Sequence, residues 1–159
     1  MRPPESRPLT TGPEPPSPGA AEPATPSRRL IELTRDECLQ RLRTEHVGRV
    51  VVVTPALRPL VRPVDYVFDE RSQAVAFRSR RGSKLHALAH AERACFEIDG
   101  IDSRPGVAWS VIVTGVVETV TGDGEIERLA RLGLDTRVTG ESGAWLRIRT
   151  NVVSGRRVE

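Results

Sequence analysis

Residues 74–88 read AVAFRSRRGSKLHAL, and the rest of the chain is best read outward from them. Ala74 to Phe77 is a short apolar strand, Arg78-Ser79-Arg80-Arg81 follows, and a Gly82-Ser83-Lys84 turn leads into an apolar helical pattern. A strand that passes through such a turn into a helix start gathers backbone N–H groups, hydroxyls and cations at one point, which suits a phosphate. If Phe77 faces the core, strand alternation sends Arg78 and Arg80 to the opposite face, where they flank the turn. Ser83 and Lys84 fall at the helix start, where unpaired N–H groups favour an anion. Arg78 can grip phosphate oxygens through two parallel hydrogen bonds, while Lys84 acts as a mobile point charge. The bland alternative is a solvated hairpin end, because charges are common at turns.

Upstream, Leu60 to Phe68 reads as a strand interrupted by Pro63, which cannot donate a ladder hydrogen bond and so marks an edge, a bulge or a bend. Arg62-Pro63-Val64-Asp65-Tyr66 can therefore leave main-chain groups free for a planar heterocycle, with Asp65 or Tyr66 adding a polar contact. An edge guarded by proline against mispairing explains the same residues. Val50 to Val53 are four adjacent β-branched residues, a strand that needs cover on both faces, with Gly48 breaking the pattern before it. Thr34 and Glu37 have capping-box spacing, with Leu33 in the staple position. They open a helix over 35–44 with Cys38, Leu39 and Leu42 on one face.

Downstream, Lys84 to His90 reads as a short helix, and Arg93 to Asp99 alternates with Ala94, Phe96 and Ile98 on one face. Gly100 to Gly106 is a loop. Trp109 to Val120 is a strand too long to stay flat, with Gly115 able to bend it. Asp123 to Leu134 has helical spacing, and Trp145 to Val152 is the last strand. Six strands joined mostly by turns, without a βαβ repeat, close more readily as a small barrel than as a doubly wound sheet. The expected class is mainly β with short helices.

The 159 residues allow one cored domain. Residues 1–29 hold nine of the 13 prolines and almost nothing to bury, and read as a disordered tail before a domain over 30–159. No apolar run of signal or membrane-spanning type appears. A net charge of +3 and six aromatic residues argue against nucleic acid as partner. Cys38 and Cys95 sit in apolar patterns without metal spacing, so reduced thiols and the cytosol are expected. His86 and His90 have i, i+4 spacing, but no third ligand accompanies them, so no metal is expected. Trp109 and Trp145 stand at strand starts, where core packing is commoner than ligand stacking. No catalytic triad or carboxylate pair can be assigned.

The order of motifs, Gly48-Arg49-Val50, Arg62-Pro63-Val64-Asp65-Tyr66, Phe77-Arg78-Ser79 with Gly82-Ser83-Lys84-Leu85, Phe96-Glu97-Ile98-Asp99, Trp109-Ser110-Val111, Val113-Thr114-Gly115 and Ser154-Gly155-Arg156-Arg157, resembles the pyridoxamine 5′-phosphate oxidase-like family. The resemblance runs from about Leu33 to Val158, and its small actinobacterial members are the nearest in pattern. It implies a six-stranded split β-barrel of the FMN-binding type, a homodimer, and FMN at the subunit interface, with the deazaflavin coenzyme F420 as the alternative cofactor. By the same resemblance Arg78, Ser79, Ser83 and Lys84 hold the cofactor phosphate. Arg62, Pro63, Val64 and Asp65 line the flavin ring through main-chain contacts, and Trp109 and Ser110 lie near it across the interface. The vitamin B6 oxidases carry a C-terminal Arg-x-His segment that this chain lacks, so the namesake reaction is not expected. An FMN-dependent oxidoreductase of unassigned substrate is the leading expectation; an F420-dependent reductase and a non-catalytic flavin-binding protein are the alternatives. The protein would supply orientation and phosphate anchoring to a flavin that carries the redox chemistry.

Overall fold

The valine run forms the centre of the molecule, although not as a strand covered on both sides. The computed structural model describes residues 28–54, 56–80, 82, 93–102, 106–134 and 143–159. Strand β1 is Leu30–Glu32, and helix α1 is Arg35–Thr44. Strands β2 Val47–Val53, β3 Pro59–Asp69, β4 Ala74–Arg80, β5 Arg93–Ile101 and β6 Ala108–Thr119 follow. Helix α2 is Asp123–Ala130, and β7 Gly143–Arg149 and β8 Val152–Val158 complete the fold.

All pairings are antiparallel, and six strands close a ring in the order β2, β5, β6, β7, β4, β3. β8 adds to the free side of β6, and β1 adds to β8. β6 belongs to both halves of the barrel. It pairs with β5 and β8 as far as Val116 and Thr114, and with β7 from Val117. Gly115 lies at this change of partner, as expected of a residue that lets a long strand bend.

The barrel interior holds Tyr66, Phe77, Phe96, Ile98, Leu146 and Ile148, all essentially inaccessible to solvent. α1 caps it. Its Thr34–Glu37 capping box forms in both directions, and Cys38, Leu39 and Leu42 are buried. The Tyr66 hydroxyl donates to the Leu42 carbonyl at 3.0 Å, which ties α1 to β3 inside the core. That burial, followed by the nearby Glu45 charge, raises the phenol well above its ordinary range. Gly155 lets α1 approach β8: a Cβ there would lie 2.7 Å from Cys38 Sγ and 2.9 Å from Leu33 Cδ1.

Several expectations are corrected. Gly48 is inside β2 rather than a break before it, because the Phe96 ring occupies the space a side chain would take; a Cβ would meet Phe96 Cζ at 2.2 Å. Gly100 is likewise within β5, under the Trp109 ring. The last predicted strand is two, β7 and β8, separated by a turn at Thr150 and Asn151. That turn has neither Gly nor Pro to announce it. α2 ends at Ala130, four residues early, although Leu134 still packs on the cluster that seats the helix.

The outer face of β2 is bare. Val61, Val51, Cys95, Thr114 and Val152 stand in register across β3, β2, β5, β6 and β8. Around this row Val47, Val53, Val116 and Val152 are between 57% and 59% exposed. Cys38 and Cys95 are both free thiols. No described helix is long and apolar enough to cross a membrane.

Candidate functional site

β3 and β4 part company halfway along. Their register runs from Asp69↔Ala74 to Tyr66↔Phe77 and stops there. Beyond that point residues 59–65 of β3 pair with β2, while residues 78–80 of β4 pair with β7. Two backbone edges therefore face a split in the barrel wall. The Tyr66 N–H bonds the His46 carbonyl at 2.9 Å. Antiparallel alternation then aims the N–H groups of Val64 and Arg62 at β2, and those of Asp65 and Val61 into the split. Pro63 belongs to the outward set, so its missing N–H costs no ladder bond. The edge reading of Pro63 is the one the register supports.

The predicted site residues distribute unevenly around this split. Arg62, Pro63 and Asp65 are exposed on the β3 edge, whereas Val64 packs partly against the core. Arg62 bonds the neighbouring Val61 carbonyl at 3.0 Å. Asp65 also borders a groove of about 610 Å³ with His46, Arg43, Glu70 and Leu132. Arg78 is half-buried on the outer face of β4, opposite Trp145 in register. Its guanidinium donates to the Gly143 carbonyl at 2.9 Å and stands 5.8 Å from the centre of the Trp145 ring. Ser79 is 5% exposed, on the same side of β4 as Phe77 and therefore opposite to Arg78. Gly82 has φ +78°, a left-handed conformation consistent with a turn directly after β4. Ser83, Lys84, His86 and His90 lie outside the described residues, as does the helix expected over 84–90.

Trp109 and Ser110 face opposite ways. Trp109 is in the core, with the Arg41 guanidinium stacked 4.4 Å from its ring centre, and Arg41 bonds Asp102 at 3.1 Å. Ser110 is half-buried on the outer face, between Asp99 and Arg156 in register. Trp145 is 4% exposed and helps seat α2.

Sequence reasoning missed the second wall of the Arg78 site. α2, through Leu129 and Ile126, and Leu134 just after it pack on the outer face of β3, β4 and β7 against Val67, Ala76, Val120 and Trp145. Ion pairs fix it there: Arg128 with Asp69, and Arg147 with both Glu118 and Glu125. Burial alone would raise the Asp69 carboxyl, but hydrogen bonds from Arg128 and Ser72 outweigh it and hold the group below its ordinary range. Burial also opposes ionisation of Glu118, and Arg147 and Arg149 reverse that effect in the same way. A groove of about 490 Å³ is left between Arg78 and α2. The spacing of Ile126 and Leu129 signalled a packed helix, but nothing local signalled that its exposed Ala130 would face Arg78.

The split thus offers donors and acceptors along two open strand edges, and a cation beside one end. A planar ring carrying hydrogen-bonding atoms and a phosphate fits that arrangement.

The comparisons agree with this geometry. A family model described as pyridoxamine 5′-phosphate oxidase matches residues 34–157. The uncharacterized protein Rv0080 of Mycobacterium tuberculosis is 32% identical over 149 residues, covering 89% of this chain and 95% of its own length. The structure of an FAD binding protein from Mycobacterium smegmatis superposes with a TM-score of 0.67 at 29% identity, over 79% of this chain and 95% of that one. An FAD-binding protein from Mesorhizobium loti, 22% identical with a TM-score of 0.69, shares the fold over 84% of this chain and 99% of its own. On its six-stranded split barrel and a sequence match over most of its length, the chain belongs to the pyridoxamine 5′-phosphate oxidase family, whose fold binds flavins.

Proposed function

We propose that the chain is a flavin-dependent oxidoreductase that works as a homodimer, with the FMN portion of its cofactor lying along the split between β3 and β4. The observation that carries this reading is the parting of those strands after Tyr66 and Phe77, which leaves two unpaired edges beside Arg78. Main-chain groups of residues 62–65 hold the ring edge. Arg78, with Ser83 and Lys84, holds the phosphate. The Ser79 hydroxyl faces the barrel interior, so that residue contributes through its main chain. A bound flavin supplies the redox chemistry by taking up a hydride or electrons at its ring. The chain's own residues bind it, orient it and keep one side of the ring against the barrel wall.

A second copy of the chain covers the bare outer face of β2, β5, β6 and β8. Exposed valines on a sheet face, here set among the Arg49–Asp99 ion pair and Arg156, are a usual mark of an interface, and Val47, Val53, Val116 and Val152 are too exposed to serve the core of one chain. Ser110 lies on that face, while Trp109 buttresses it from inside.

The test is to purify the protein gently, denature it, and identify any released chromophore by absorbance and mass, then titrate the stripped protein with FMN, FAD and F420. Release or uptake of FMN or FAD supports the reading, and reduction of the bound flavin by a nicotinamide supports turnover. Uptake of F420 alone selects the deazaflavin alternative. A colourless protein that binds none of the three refutes the proposal.

A further inference from the structure

The geometry points to a second binding site beside Asp65: the groove between the end of α1, β3 and the turn after α2 holds an amine with an apolar body, in its protonated form. Such an amine is the class of second substrate that a flavin in the split would meet. The substrate role rests on the flavin reading above, whereas binding of the amine does not.

The groove has a volume of about 610 Å³, within the range of small-molecule sites. Its apolar lining is Val67 and Phe68 of β3, with Leu132 and Leu134 after α2. Leu132 is 43% exposed, and Val67 and Phe68 are half-buried, so the chain leaves this lining partly uncovered. The charges around it do not balance. Arg43 meets the Glu70 carboxylate through two guanidinium nitrogens and lies over the Phe68 ring, so its charge is already matched. Glu45 and Asp65 line the groove as well, and neither has an ion-pair partner among the described residues. Two unmatched carboxylates beside an apolar lining favour a cation with an apolar body over a neutral or anionic molecule.

The strand edge supplies an acceptor as well. β2 and β3 stay in register only as far as Val47↔Asp65, and just beyond it the Tyr66 N–H donates to the His46 carbonyl at 2.9 Å. Antiparallel alternation turns the Phe68 N–H and C=O to that same side, away from β4, where no strand runs alongside. The Phe68 carbonyl on the groove side suits an ammonium group, which has three N–H donors to place. Asp65 joins the groove to the split, since its side chain lines the one while its N–H points into the other. An occupant would therefore lie within one residue of the edge that holds the flavin ring, where a redox partner must come.

The experiment titrates the full chain, stripped of flavin, with phenethylammonium, with phenethyl alcohol as its neutral counterpart and with phenylpropionate as an anion. Calorimetry at low salt gives the affinities, and the melting temperature of each variant shows that it is folded. At about threefold for each exposed ion pair, two carboxylates should let the wild type bind the ammonium roughly tenfold more tightly than the alcohol, with the anion weakest. Glu45→Gln should lower ammonium affinity about threefold and leave that of the alcohol within about twofold. Glu45→Gln combined with Asp65→Asn should abolish the preference. Leu132→Arg places a cation in the apolar wall from an exposed position and should abolish ammonium binding. Equal wild-type affinity for ammonium and alcohol, or a folded double variant that keeps the preference, overturns the site. Uptake of FMN or FAD without uptake of the ammonium overturns the groove alone. Uptake of the ammonium without FMN, FAD or F420 overturns the substrate role, and the flavin reading with it.

Discussion

Arg78→Ala should weaken flavin binding far more than it weakens the fold. Among the described residues the Arg78 guanidinium donates to the Gly143 carbonyl and stands near the Trp145 ring. A hydrogen bond to a neutral carbonyl in a half-buried setting is worth about 1 kcal/mol. At roughly 3–5 °C per kcal/mol, the melting temperature should fall by only a few degrees. A charge-assisted bond to a phosphate is worth about 1.5–3 kcal/mol, so FMN affinity should fall by roughly tenfold to 150-fold. Arg78→Lys keeps the charge but not the paired donors, and should fall between the wild type and the alanine variant. Fluorescence titration with FMN gives the affinity, and thermal melting of the stripped proteins gives the stability. An unchanged FMN dissociation constant in a folded Arg78→Ala protein would refute the phosphate role. A loss no larger in the presence of flavin than in its absence, read as the shift in melting temperature on adding FMN, would do the same.

Four further outcomes follow from other parts of the structure. Arg128→Ala leaves the Asp69 side chain, only 3% exposed, without its main partner and should cost about 3 kcal/mol in denaturant unfolding. Because the folded Asp69 carboxyl is held below the ordinary value of 3.8, its contribution is fully present above that pH and is lost as pH falls through the lower folded value. Asp69→Asn should therefore flatten the acid limb of the stability profile, and an unaltered limb would show that other carboxylates set it. Gly48→Ala puts a methyl 2.2 Å from Phe96 Cζ and 2.9 Å from the Glu97 carbonyl oxygen. Overpacking of that kind costs about 1–3 kcal/mol, readable as a lowered urea midpoint. Val53→Glu with Val116→Glu charges the bare sheet face, and sedimentation should change from a dimer to a monomer; a dimer that survives both changes must use another surface.

Some of these features were readable because they are local. Thr34 and Glu37 are three residues apart and make their capping box without help from the rest of the chain. The alternation of Arg93 to Asp99 reports one buried face directly, and Ala94, Phe96 and Ile98 are buried as read. The turn between β7 and β8 was not readable, since Thr150 and Asn151 are not strong breakers and the apolar pattern continues nearby. Gly48 misled for a related reason. A glycine inside a strand looks like a stop until the ring that lies over it is known, and that ring comes from Phe96, across the β2–β5 pair.

By itself the sequence determined the barrel strands, the capped helix that closes one end, and the cationic end of β4, because each depends on periodicity or spacing within a few residues. Pro63 also announced an edge, since a residue without an N–H must avoid the ladder. Only the tertiary structure decided where that edge opens, because the split exists through β3 turning to β2 while β4 turns to β7. It alone left the outer valines uncovered and brought Asp123 and Ala130 to the side of Arg78. Those arrangements join residues tens of positions apart, and their energies come from packing and ion pairs that no short window of sequence contains.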